Sequence, residues 1–98
     1  MKVAVLYPAA HLHVCTHRRS ADDPLGPGCG ARGEAVFEAL GRERTRRRLV
    51  REVWLARASC LGQCPAIGCT VAIGPEHLIE VEPEDASAVF ETLPSAAR

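Results

Sequence analysis

Residues 10 to 33 read Ala10-His11-Leu12-His13-Val14-Cys15, then Thr16-His17-Arg18-Arg19-Ser20-Ala21-Asp22-Asp23-Pro24-Leu25-Gly26-Pro27-Gly28, then Cys29-Gly30-Ala31-Arg32-Gly33. Leu12 and Val14 alternate with His11 and His13, the period-2 pattern of a half-buried strand that ends on Cys15. Asp22-Asp23-Pro24 and the glycines at 26, 28, 30 and 33 make residues 16 to 33 a loop by composition. From about Arg32 to Arg47 the pattern turns helical, with Ala35, Val36, Ala39 and Leu40 on one face and Phe37 adding bulk. Gly41 weakens the second half of that helix.

Outward from this stretch, residues 49 to 57 read as a second strand carrying Val50, Val53, Trp54 and Leu55, with Trp54 expected in the core. Ser59 to Gly68 is another loop punctuated by glycine and proline, and Val71–Ile73 and Leu78–Val81 form a hairpin across Gly74-Pro75. Pro83 suits a first helical turn, and Glu84 and Asp85 complement its dipole. Ala86, Val89, Phe90 and Leu93 then supply an apolar face, and Pro94 closes the helix. Residues 2 to 7 form a further β-leaning segment that either pairs at an edge or trails. The order is strand, helix, strand, hairpin, helix. It implies an α/β fold in which a parallel pair with a right-handed crossover meets antiparallel strands, flanked by two helices. Several small α/β folds share that order.

Ninety-eight residues suffice for one domain, taken here as residues 1–98, and no apolar run is long enough to span a bilayer. The four aromatic residues make a thin core, so an additional staple is expected. Five cysteines, at 15, 29, 60, 64 and 69, suggest it. An odd count without an export signal points to a reducing, cytoplasmic setting in which thiols hold metal or do redox chemistry. Charge is unevenly distributed. Residues 1 to 60 carry eleven Lys and Arg against six Asp and Glu, and residues 61 to 98 carry one Arg against six acids. The run Arg42, Arg44, Arg46, Arg47, Arg48 and Arg51 reads as a solvated helix end rather than a nucleic-acid surface, because net charge is zero and stacking aromatics are absent nearby.

Cys15 and Cys29 bound the first Gly-rich loop, and Cys60 and Cys64 bound the second. Both loops follow strands of one parallel unit, so they emerge at the same sheet edge. Four thiolates are the donor set of a structural zinc ion or of an iron–sulfur cluster. Zinc sites favour close pairs at both ends, which only Cys60 and Cys64 provide. The thirteen-residue separation of the other pair suits the wider 2Fe–2S cluster. Glycine backbone N–H groups would approach its sulfides closely. Buried inert thiols and a thiol–disulfide function remain alternatives, although Cys60 and Cys64 lie one residue too far apart for the redox motif.

His13-Val14-Cys15-Thr16, Gly26-Pro27-Gly28-Cys29-Gly30-Ala31-Arg32-Gly33 and Ser59-Cys60-Leu61-Gly62-Gln63-Cys64 together resemble the thioredoxin-like 2Fe–2S ferredoxins, over about residues 11 to 93. The resemblance implies a small thioredoxin-like domain in which Cys15, Cys29, Cys60 and Cys64 ligate a 2Fe–2S cluster. It further implies a low-potential, one-electron carrier rather than an enzyme, a redox protein as partner, no nucleic acid or membrane, and a homodimer. The alternative is a zinc- or cluster-binding module for assembly or metal delivery. Cys69 falls where the family requires no cysteine, and it is expected to be a structural thiol near the cluster. Cys29 is expected in an adaptable Gly-Pro-Gly setting, and His17 is a candidate hydrogen-bond donor to the cluster.

Overall fold

The structure, a computed structural model, describes residues 1–5, 8–20, 22–24, 26–59, 61–62 and 65–98. Strand β1, Ala10–Cys15, buries Ala10, Leu12 and Val14 and leaves His11 and His13 half-buried, as the alternation requires. Helix α1, Gly30–Arg46, buries Gly33, Val36, Ala39 and Leu40 along one stripe. It ends in a Schellman motif: the Leu49 N–H donates to the Arg44 carbonyl and the Arg48 N–H to the Thr45 carbonyl. Arg48, with φ 59°, occupies the left-handed position usually held by glycine.

That motif shortens the next strand. Strand β2 covers Val53–Ala58 rather than 49–57, because Val50 lies exposed in the turn that leaves α1. Strands β3, Cys69–Ile73, and β4, Glu76–Val81, form the hairpin across Gly74-Pro75. A 3-10 turn, Pro83–Asp85, leads into helix α2, Ala86–Glu91. The Glu82 N–H donates to Asp85 Oδ2 at 2.9 Å, completing a reciprocal cap at that turn.

The sheet order is β2-β1-β3-β4, with β1 parallel to β2 and the other pairs antiparallel. This is the mixed sheet with two helices expected from the element order. Leu12, Val14, Val36, Leu40, Val53, Val71, Val89 and Phe90 belong to one hydrophobic cluster, and Phe90 is its largest fully buried side chain. Arg47 ties the two helices together: its Nε donates to Glu43 Oε2 at 2.6 Å, and its Nη2 donates to Glu91 Oε1 at 2.9 Å and Ser87 Oγ at 3.0 Å.

Of the two courses open to the N-terminal segment, residues 2–5 follow the trailing one: they are exposed and belong to no strand, and Leu6 and Tyr7 lie outside the described residues. One local expectation changes. Trp54 is half-buried rather than core, because β2 is an edge strand and not a central one. In the hairpin, Val71 is fully buried and Ile79 is exposed. Among the described residues no helix is long and apolar enough to cross a membrane.

Candidate metal centre

Cys15 is the last residue of β1 and is fully buried. Its Sγ donates toward the Ser59 carbonyl at 3.5 Å, and the Thr16 N–H donates to the Ala58 carbonyl at 3.0 Å. The pairing of β1 with β2 therefore continues to the two loops themselves. Gly33, in the first turn of α1, lies against the same spot. A Cβ there would meet the Cys15 carbonyl oxygen at 1.9 Å, so only glycine lets the helix start so close to the strand end.

The loop from Thr16 to Cys29 folds back on itself. The Arg19 N–H donates to the Pro27 carbonyl and the Gly30 N–H to the His17 carbonyl, each at 3.0 Å. Gly28 has φ 77°, and a side chain there would strike the His17 carbonyl oxygen at 2.3 Å. The Gly-Pro-Gly setting of Cys29 is thus fixed rather than adaptable, and Cys29 is 1% exposed. His17 enters this closure through its backbone carbonyl.

Cys60 and Cys64 lie outside the described residues, but flanking residues are anchored at this edge. Ser59 receives the Cys15 thiol. Pro65 receives Arg32 Nη1 at 3.1 Å, while Arg32 Nη2 donates to the Gly28 carbonyl at 2.9 Å. One guanidinium therefore joins the loop that carries Cys29 to the residue after Cys64. Arg32 stands three residues after Cys29, one helical turn on, and that spacing is the signal in the sequence for this contact.

Cys69 begins β3 and is fully buried. Burial pushes its thiol up to about 12, and charge on Cys29 and Cys15 adds to the rise, whereas Arg32 opposes it. Three thiols thus share one neighbourhood at the C-terminal end of β1. Among the described residues, no group of three or more His, Cys, Asp or Glu side chains is arranged to hold a metal ion. Beside Cys29 a shallow depression of about 320 Å³ is lined by Arg18, Arg19, Arg32 and the backbone that opens α1. A larger one, about 600 Å³, runs along α1 between Glu38 and Arg46 and is lined by none of the described cysteines.

The donor chemistry and burial of Cys15 and Cys29 fit a thiophilic metal or an iron–sulfur cluster. No family model matches the chain. No curated protein matches it. Among solved structures it is similar to the wild-type thioredoxin-like 2Fe–2S ferredoxin from Aquifex aeolicus, with 26% identity and a TM-score of 0.73 over 87% of this chain and 84% of that one. Two Cys→Ser variants of that ferredoxin match at 25% identity and a TM-score of 0.72, over 85% of this chain and 84% of theirs. Their substituted cysteines stand four positions apart, the separation of Cys60 and Cys64 here. In cysteine pattern and in fold, the chain resembles the thioredoxin-like 2Fe–2S ferredoxins.

Proposed function

We propose that the chain is a one-electron carrier that holds a 2Fe–2S cluster on Cys15, Cys29, Cys60 and Cys64. The observation that carries this reading is the likeness to the Aquifex aeolicus ferredoxin combined with two buried thiols at one sheet edge. Bound there, the cluster supplies a site that accepts and returns a single electron. The residues of the chain do the rest. Gly33 and Gly28 let α1 and the first loop close on β1, which positions Cys15 and Cys29. Arg32 holds the first loop against Pro65 and brings a positive charge to the thiolates. Four thiolate ligands give the low potential of an all-cysteine site, about −400 mV.

Electron transfer needs no acid, base or nucleophile, so the function does not require an enzyme's catalytic set. Arg18, Arg19 and Arg32 border the depression beside Cys29, and they suit a redox partner with an acidic face. The carrier is placed in the cytoplasm, where thiols stay reduced. It is further proposed to be a homodimer associating through the hairpin, where Ile79 is exposed and Ile73 and Leu78 are half-buried. Sedimentation equilibrium giving a monomer mass at tens of micromolar, an order set by weak interfaces, would remove the dimer from this reading. Iron, acid-labile sulfide and zinc analysis tests the cofactor. Two irons and two sulfides per chain, with visible absorbance and a reduced-state EPR signal, are expected for two irons in one cluster. A colourless protein with one zinc would replace the carrier by a zinc module for assembly or metal delivery.

A further inference from the structure

His11 and His13 are separated by one residue on β1, so both project from the same side of the sheet. Their ring centroids are 4.0 Å apart with the planes tilted by 36°. The backbone beneath them is held from both sides: His11 and His13 pair with Trp54 and Ala56 of β2, and His13 also pairs with Ala72 of β3. Alanines on either side of His13 set only small side chains beside its ring. Both imidazoles are half-buried, which leaves part of each open to an ion.

We propose that His11 and His13 form a two-imidazole chelating site for a divalent transition ion of borderline softness (Zn²⁺, Ni²⁺ or Cu²⁺), distinct from the cysteine centre. Imidazole nitrogen suits these ions. Metal–nitrogen bonds of 2.0–2.1 Å at a tetrahedral angle hold the two nitrogens about 3.3 Å apart. Rings already centred 4.0 Å apart reach that spacing by side-chain rotation on an unmoved strand. The ion binds the neutral imidazoles through their ring-nitrogen lone pairs. Water fills the remaining coordination positions.

Trp54 is the sole tryptophan of the chain and lies edge-on to His11 at 5.7 Å between ring centroids. It is a built-in reporter. The experiment titrates the purified protein with Ni²⁺ alone, follows Trp54 fluorescence, and reverses binding with EDTA. Saturable quenching with one ion per chain is expected. His11→Gln and His13→Gln should each weaken the apparent affinity at least about tenfold, whereas His77→Gln should leave it unchanged. Wild-type quenching in either of the first two variants assigns the ion to other donors and overturns the site, as does equal weakening by His77→Gln. A parallel Zn²⁺ titration of the unmutated protein, followed by the imidazole proton resonances, keeps the test independent of variant folding. The resonances of His11 and His13 should shift together, and their failure to move overturns the proposal. Neither readout depends on electron transfer.

Discussion

A Cβ placed on Gly33 would lie 1.9 Å from the carbonyl oxygen of Cys15. The first turn of α1 and the end of β1 are therefore in backbone contact at the thiol that closes the strand. Gly33→Ala forces them apart. Overpacking of this kind costs about 1–3 kcal/mol, and it moves Cys15 away from Ser59. A lower urea midpoint and a loss of bound metal are expected together. Gly41→Ala is the matched control on the same helix. Its Cβ would meet Leu55 Cδ2 at an ordinary 3.8 Å, so the gain in helix propensity, up to about 1 kcal/mol, should stabilise the chain and leave the metal content unchanged.

Arg48→Gly should stabilise the fold. The side chain is exposed, and its backbone sits at φ 59° in the Schellman turn that ends α1. A left-handed residue costs roughly 1–2 kcal/mol, part of which glycine's extra unfolded-state entropy offsets. A net gain of about 0.5–1 kcal/mol follows from these terms. Chemical denaturation at neutral pH reads it directly.

Glu43 links the charge network of the two helices to pH. Hydrogen bonds from Arg46 and Arg47 hold its carboxyl down from the ordinary 4.5 to about 2. A folded-state value below the unfolded one means that the carboxylate's stabilisation is fully present above about pH 4.5 and is lost as pH falls toward 2. Glu43→Gln should therefore cost about 1 kcal/mol at pH 7, the scale of a partly exposed ion pair. The difference between wild type and variant should shrink through that window. A constant difference from pH 7 to pH 2.5 would refute the assignment.

The order of elements was legible because period-2 and helical patterns occupied separate stretches, as in His11–Val14 and Ala35–Leu40. The boundaries at the end of α1 were less so. No glycine marks the Schellman turn; Arg48 takes the left-handed conformation instead, which moved the start of β2 to Val53. The pairing of Cys15 with Cys29 at one edge followed from strand order, but the closure that fixes Cys29 did not. It depends on contacts between backbone atoms, Arg19 to Pro27 and Gly30 to His17, that carry no side-chain signature. Trp54 was misplaced for a related reason: hydrophobicity marks a strand, and only the pairing order tells an edge strand from a central one.

The fixed loop bears on how substitutions of the proposed ligands compare. An adaptable Cys29 would have tolerated serine better than Cys15. With Gly28 pressed on His17 and Arg32 joining Gly28 to Pro65, Cys29→Ser leaves a harder, shorter donor where the backbone cannot follow. Cys15→Ser and Cys29→Ser should lower cluster content to a similar degree, measured as iron and sulfide per chain. Clearly better retention in Cys29→Ser would show that the loop yields when the cluster demands it.

Cys69 provides the last test. It is fully buried at the start of β3 and feels the charge of both Cys15 and Cys29, so its sulfur shares the neighbourhood of these two proposed ligands. It follows Cys64 by five residues. Burial holds its thiol up near 12, so Cys69 is a thiol and not a thiolate at neutral pH. Cys69→Ser should then leave the visible spectrum and cluster content nearly unchanged, with at most a modest loss of stability from the buried hydroxyl, about 1–3 kcal/mol. Cys64→Ser removes a proposed ligand while leaving the Cys69 thiol five residues on in the sequence, and iron binding lowers the pKa of a coordinating thiol enough to deprotonate it. That variant is expected to retain part of its cluster with an altered reduced-state EPR signal, whereas the Cys64/Cys69 double substitution should retain almost none. Identical cluster content in the single Cys64 variant and the double variant would show that Cys69 never serves as a ligand. Outright loss of the cluster in Cys69→Ser would instead place it among the four.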